Sequence, residues 1–236
     1  VTDPGAAPQG DAFDEINQTV RYAVWAVFAR SGEPAPDVAA ARADHAAWTA
    51  SLAPDQVELR GQYDVSGMRA EADVMVWLHA ASIEALQAAL RSFRRTSAGA
   101  TTRLAWSAMG LHREAEFSRE HVPSFMRGLP PKRWLCVYPF VRSFEWYLLP
   151  TAERGEMLRE HGLAGREFPQ VQPNTVAAFA LNDYEWILAL ESDEAHHLVD
   201  LMRDIRKTQA RRHVRLETPF YTGCMVDDAG LVEVLA

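Results

Sequence analysis

Four short apolar runs stand out along the chain: RYAVWAVFAR (Arg21–Arg30), VMVWL (Val74–Leu78), RWLCVYPFVR (Arg133–Arg142) and WILAL (Trp186–Leu190). Runs of this length, rich in β-branched and aromatic residues, read as strands. A helical period separates them. Ser82 stands as an N-cap before Ile83, Leu86, Leu90 and Phe93, which share one stripe of a helix over 82–96. A second helix is expected over 36–52, ending before Pro54, with further strands over 56–64, 71–79 and 100–109. The order in the first half is βαββαβ, the ferredoxin-like pattern.

The second half repeats it. LRSFRRT (Leu90–Thr96) matches MRDIRKT (Met202–Thr208) at an offset of 202 − 90 = 112. The same offset places Arg21 on Arg133, Phe28 on Phe140 and Arg30 on Arg142, and it aligns VMVWL with WILAL. Three ungapped matches at one offset identify two copies of one unit. Strands are expected over 133–142, 171–181, 184–191 and 213–222, with helices over 151–161 and 193–211. Each four-stranded sheet covers one face with helices and leaves the other bare, so two copies serve each other by facing together. The expected fold is α+β, two ferredoxin-like halves forming a joined antiparallel sheet or barrel with helices outside. The expected divisions are a disordered tail at 1–14, halves at 15–110 and 133–236, and a connecting segment at 111–132 that is long enough to hint at its own packing or function.

The third apolar run contains two anomalies. Pro139 cannot donate to a strand ladder, and Arg142 carries a charge into an apolar stretch. Alternation puts Tyr138, Phe140 and Arg142 on one face, with Tyr138 and Arg142 about 13 Å apart. Two polar tips at that spacing bracket a large planar ligand with acid groups, or else belong to a core tyrosine and a snorkelling arginine.

Charge and cysteine usage narrow the field. The net charge of −8 speaks against a general nucleic-acid binder, so an anionic ligand needs a local arginine cluster. Cys136 and Cys224 stand apart with no metal-binding spacing, which fits the reducing cytoplasm. No apolar run is long enough to span a membrane, and residues 1–14 lack the pattern of a signal peptide.

Two histidines draw interest. In TAERGEMLREHGLAGR, Thr151 is a plausible N-cap and Gly162 a plausible C-cap, so His161 falls in the last turn, on the stripe of Met157 and Leu158. It is either a hydrogen-bonded core residue or a metal ligand. A lone histidine cannot make a zinc site, but it can hold haem iron, whose other ligands come from the porphyrin. His121 sits in the connecting segment, as a surface residue or a general base. His45, His79, His112, His196, His197 and His213 carry no comparable signal, and no nucleotide-binding or hydrolase motif occurs.

With these residues in hand, the sequence resembles the chlorite dismutase-like family, and within it the actinobacterial coproheme decarboxylases. The resemblance rests on YPFVRSFEWY (Tyr138–Tyr147), MLREHGLAGREFP (Met157–Pro169), DYEWILALE (Asp183–Glu191), MRDIRKTQAR (Met202–Arg211) and PFYTG (Pro219–Gly223). It implies His161 as the iron ligand, Tyr138 as a tyrosine that becomes a radical, and His121 as the distal base that deprotonates hydrogen peroxide. Arg142 is implied as a propionate contact and Trp146 as a pocket residue; Pro139, Phe140, Val141, Arg211 and Asn174 join them as cofactor-binding positions. Asn174 stands thirteen residues after His161, where chlorite dismutases proper carry an arginine, which speaks against chlorite chemistry here. The implied substrate is iron coproporphyrin III, its own redox cofactor, and the product is haem b. Hydrogen peroxide is the co-substrate, a coproporphyrin ferrochelatase the upstream donor, and a homopentamer the assembly. A haem carrier or regulator without turnover, and a general haem peroxidase, are the alternatives.

Overall fold

The computed structural model describes residues 10–32, 37–118 and 120–236. The elements of the first half are α1 (Gly10–Gln18), β1 (Tyr22–Arg30), α2 (Val38–Leu52), β2 (Val57–Asp64), β3 (Val74–Ala80), α3 (Ile83–Phe93), α4 (Ser97–Ala100) and β4 (Thr102–Leu111). The second half holds β5 (Trp134–Arg142), α5 (Thr151–Arg166), β6 (Gln172–Ala177), β7 (Trp186–Ser192), α6 (Ala195–Ile205), β8 (Val214–Leu216), β9 (Tyr221–Val226) and α7 (Asp228–Leu235). The 112-residue offset survives in three dimensions: β1, β3 and α3 shifted by 112 land on β5, β7 and α6, end for end.

All strands pair antiparallel, in the order β7-β6-β4-β1-β3-β2-β9-β5-β8. Because β5 also pairs with β7, eight of these strands close into a barrel, with β8 attached outside the ring to the end of β5. Each half keeps the ferredoxin-like order, and β2–β9 and β4–β6 are the seams. Closure removes the open edges that would otherwise invite pairing with another chain. Strand alternation then sorts the side chains. Trp25, Val27, Trp77, Leu135, Val137 and Ile187 point into the barrel and form its core. The opposite faces of the same strands meet helices, as Val24, Ala26 and Phe28 in the first half and Cys136 and Tyr138 in the second.

The anomaly at Pro139 has a local cause. On one edge of β5, pairing with β9 ends at Val137, and pairing with β8 resumes at Val141. Pro139 lies in the gap between them, where that edge has no ladder partner.

The two outer faces are packed differently. In the first half, Trp48 of α2 meets Phe93 edge-on, Phe93 packs on Phe28, and α7 adds Leu231, Val232 and Leu235. The C-terminal helix is pinned by Asp228, which accepts from Gln62 and Thr49, and by an ion pair between Arg42 and Glu233. At the 112-residue offset, the places of Tyr138 and His161 are taken by Ala26 (138 − 112) and Thr49 (161 − 112). A folded-back helix therefore seals the first half's outer face, and among the described residues the second half has no counterpart of it.

Several boundaries differ from the sequence reading. Residues 10–14 of the expected tail are helical, as part of α1, and the rest of that tail lies outside the described residues. The start of the expected helix over 36–52 also lies partly outside them. Pro150 rather than Thr151 caps α5, which runs past Gly162 to Arg166. Gly162 lacks the positive φ of a helix-ending glycine, and Pro169 follows the true end. The expected strand over 213–222 is split into β8 and β9 around Pro219, and the expected helix over 193–211 stops at Ile205. No helix of the described residues is long and apolar enough to cross a membrane.

Candidate active site

The outer face of β5 and β7, the inner face of α5 and the segment after α6 enclose one pocket, a cavity of about 60 Å³. Tyr138, Phe140, Arg142 and Leu188 form its sheet wall. His161 comes from α5, and Ile205, Arg206, Ala210 and Arg211 come from the end of α6 and the 3-10 turn at 209–213. A wider groove of about 410 Å³ runs along α5 past Glu156, Glu160 and Gln209, but no aromatic ring lines it.

His161 is held as a neutral imidazole. Burial, then the charges of Arg142 and His121, hold its pKa below the usual histidine value, so at neutral pH the ring is uncharged. Its Nδ1 lies 3.3 Å from Thr208 Oγ1, and that hydroxyl donates to the Ile205 carbonyl at 2.8 Å. The single hydroxyl proton is thus committed, so Thr208 must accept from His161 Nδ1–H. This sets the tautomer and leaves Nε2 with a lone pair for a metal. Among the described residues no group of three or more His, Cys, Asp or Glu side chains could hold a metal ion. A metal at His161 would draw its other ligands from a macrocycle. Thr208→Val keeps the shape of the side chain and removes the acceptor. We expect it to weaken binding of an iron porphyrin about 10-fold and to lower the iron–histidine stretching frequency; absorbance titration and resonance Raman would check this.

Tyr138 is buried in the wall, stacked on Phe220 at 4.5 Å, and its hydroxyl donates to Met202 Sδ at 3.4 Å. Burial raises its pKa strongly, so the phenol stays protonated. Arg142 lies between two rings, its guanidinium 4.2 Å from the Trp146 centroid and 4.8 Å from that of Phe140. Burial lowers its pKa to about 10, which leaves it charged at neutral pH. Trp146 joins this cluster because the chain turns at a 3-10 helix over Trp146–Leu148, and not because β5 continues extended to that point.

The other expected positions divide. Arg211 lines the pocket and forms an ion pair with Glu217. Pro139 and Val141 fall on the opposite parity of β5 from Tyr138 and do not line it. Asn174 needs correction as a cofactor-binding residue. It is fully buried on the barrel side, accepts from Phe125 N–H at 2.9 Å, and donates to the Ala189 carbonyl at 3.0 Å and to Glu191 at 3.1 Å. Glu191 in turn pairs with Arg60, which donates to the Leu129 carbonyl. Alternation along β6 sends Asn174 to the face away from the pocket, where it ties the connecting segment to the barrel.

His121 lies in that connecting segment, its backbone N–H donating to the Ser118 carbonyl at 3.1 Å, just before buried Val122 to Phe125. Its ring keeps a solvent-exposed side, yet surrounding protein lowers its pKa. It stands outside the pocket lining but close enough for its charge to act on His161. Sequence reasoning missed Arg206, Thr208, Ala210 and Glu217. MRDIRKT stands out in the sequence as a repeat and as part of a family motif, and neither signal says which of its side chains line a pocket.

A neutral imidazole with a free Nε2, a buried phenol and three arginines around an aromatic-lined pocket, on the outer face of an α+β barrel, define a binder of an anionic metallated macrocycle. The chain belongs to the chlorite dismutase family: the family's model, Chlorite dismutase, matches residues 39–226. It is 51% identical over 225 residues to a coproheme decarboxylase of Mycolicibacterium smegmatis, covering 94% of this chain and 97% of that one. A putative heme-binding protein of Haloarcula marismortui is 25% identical over 197 residues, covering 74% of this chain and 29% of that one. In fold, the chain matches the chlorite dismutase of Candidatus Nitrospira defluvii in complex with imidazole, with a TM-score of 0.81 at 18% identity, over 95% of this chain and 98% of that one.

Proposed function

We infer that the chain is a coproheme decarboxylase, which converts iron coproporphyrin III to haem b with hydrogen peroxide. The observation that carries this reading is the buried phenol of Tyr138 in the same pocket as the His161 imidazole. Holding a porphyrin requires the imidazole and the arginines. It does not require a redox-active phenol in the wall. Each decarboxylation consumes one peroxide and one proton, converts one propionate to a vinyl group, and releases one carbon dioxide and two waters.

The residues divide this work. His161 Nε2 holds the iron, which supplies the oxidising power once peroxide has reacted. Arg142, Arg206 and Arg211 give the substrate's carboxylates charge-assisted partners in an otherwise acidic chain. Tyr138 gives up an electron and its proton, and the resulting radical takes a hydrogen atom from the propionate, which restores the phenol; a second electron, passed to the oxidant that peroxide supplies, would break the carbon–carboxylate bond and leave the vinyl group. His121 takes a proton from the incoming peroxide and returns one to the departing oxygen, a task suited to a ring kept neutral. The same reading places a coproporphyrin ferrochelatase upstream and the chain in a homopentamer.

The test is to add iron coproporphyrin III, titrate hydrogen peroxide and follow product masses. Two successive losses of carbon dioxide plus two hydrogens are expected; a bound but unchanged porphyrin would leave a heme-binding protein without turnover, the second reading. That reading draws on the archaeal relative, the putative heme-binding protein. His121→Ala should slow the peroxide-dependent step by about 10²-fold or more while leaving porphyrin affinity unchanged. Stopped-flow rates equal to wild type would remove His121 from the reaction.

A further inference from the structure

Glu217 occupies an odd place for an acid. It lies between β8 and β9, lines the pocket, and faces two of the pocket's arginines. Arg206 Nη2 donates to its Oε2 at 2.8 Å, and Arg211 Nη1 forms an ion pair with the same oxygen. Its side chain is 16% exposed, against 42% and 41% for the two arginines. Its charge acts on both Tyr138 and His161, which line the same pocket.

Two features of the cluster bear on a ligand. Two guanidinium groups converge on one carboxylate, so the cluster is one negative charge short of neutral. And the cavity, about 60 Å³, falls well below the roughly 300 Å³ at which small-molecule sites begin. Side chains across it must move for a macrocycle to enter, and the Arg206–Glu217–Arg211 bridge is part of its lining.

Taking the pocket as the coproporphyrin site, we propose that Glu217 is a place-holding carboxylate, which occupies the arginine pair until a substrate carboxylate displaces it. A propionate arriving at Arg206 and Arg211 supplies the same acceptor oxygens that Glu217 supplies. Glu217 and the propionate would compete for the same guanidinium N–H groups, so the propionate displaces Glu217, which its position in the loop between β8 and β9 lets swing to solvent. Its cost to binding is then the loss of its own two charge-assisted contacts. Its benefit is that the two half-exposed guanidinium groups keep a shared partner and a fixed place until a ligand carboxylate arrives.

The experiment measures fluorescence titrations of metal-free coproporphyrin III and of its tetramethyl ester against wild type and Glu217→Gln. The amide keeps the shape and removes the competing charge. We expect coproporphyrin III to bind the variant about 10-fold more tightly, with the ester's affinity the same for both proteins. Glu217→Asp, too short to reach both arginines, should lie between them and serves if the amide fails to fold. Equal or weaker binding of coproporphyrin III by Glu217→Gln, or an equal gain for the ester, would overturn the place-holding role and leave the site reading standing. A wild-type chain that binds neither porphyrin overturns the site reading itself, and the role with it.

Discussion

Tyr138→Phe is expected to bind iron coproporphyrin III normally and to yield no haem b. The substitution removes one atom from a side chain that is 2% exposed and leaves its ring stacked on Phe220 at 4.5 Å. Among the described residues the hydroxyl's partner is Met202 sulfur at 3.4 Å, a weak acceptor. Little stability depends on that contact, about 1 kcal/mol or less, so the fold and the arginine anchors persist. The chemistry has no substitute. A phenylalanine ring cannot give up an electron and a proton at the potentials a phenol can, and no second tyrosine lines the pocket among the described residues. A loss of about 10³-fold or more in decarboxylation rate is expected, about 4 kcal/mol of barrier. The measurement is product mass after peroxide titration, beside a binding curve for the same variant. Haem b formed at the normal rate would end the radical role of Tyr138.

His161→Ala should remove the five-coordinate histidine spectrum of the bound iron porphyrin. The loss follows from the geometry at Thr208: the hydroxyl that fixes Nδ1–H also aims Nε2 into the pocket, and no second histidine lines it among the described residues. The porphyrin should still bind through Arg142, Arg206 and Arg211, more weakly, because the carboxylate contacts do not depend on the iron. Peroxide-dependent turnover should fall by about 10²-fold or more, and added imidazole, which fits the space of the deleted ring, should restore part of it. An unchanged absorption spectrum would exclude His161 as the ligand. Together the two variants separate holding the iron from using it.

How far the site could be read from sequence depends on the kind of signal each residue carries. Tyr138, Phe140 and Arg142 were legible as one face because strand alternation is a property of the backbone alone. His161 was legible as inward-facing from its helical spacing to Met157 and Leu158, although the helix end assigned after it was wrong. Trp146 reached the arginine for a reason the strand pattern does not contain, a 3-10 turn that folds the chain back over Arg142. Asn174 failed because counting thirteen residues from His161 crosses a helix end and a turn, and neither preserves which face comes next. Glu217 was invisible: its meeting with Arg206 and Arg211 depends on the break between β8 and β9, where one continuous strand was expected.

The duplicated βαββαβ order and the α+β class were determined by the sequence itself, since the periods of strand and helix are local and the 112-residue offset can be counted along the chain. What the tertiary structure alone decided is which copy kept an open pocket on its outer face. Both halves present the same outer sheet face, and both have a helix to cover it. In the first, α7 returns from the far end of the chain, and Leu231, Val232 and Leu235 complete a closed core with Trp48 and Phe93. In the second, no such helix arrives among the described residues, and Arg142, Arg206 and Arg211 join Leu188 and Ile205 around the space beside Tyr138 and His161. That difference rests on a contact between residues nearly two hundred positions apart, Arg42 with Glu233 and Thr49 with Asp228, and no local period can carry it.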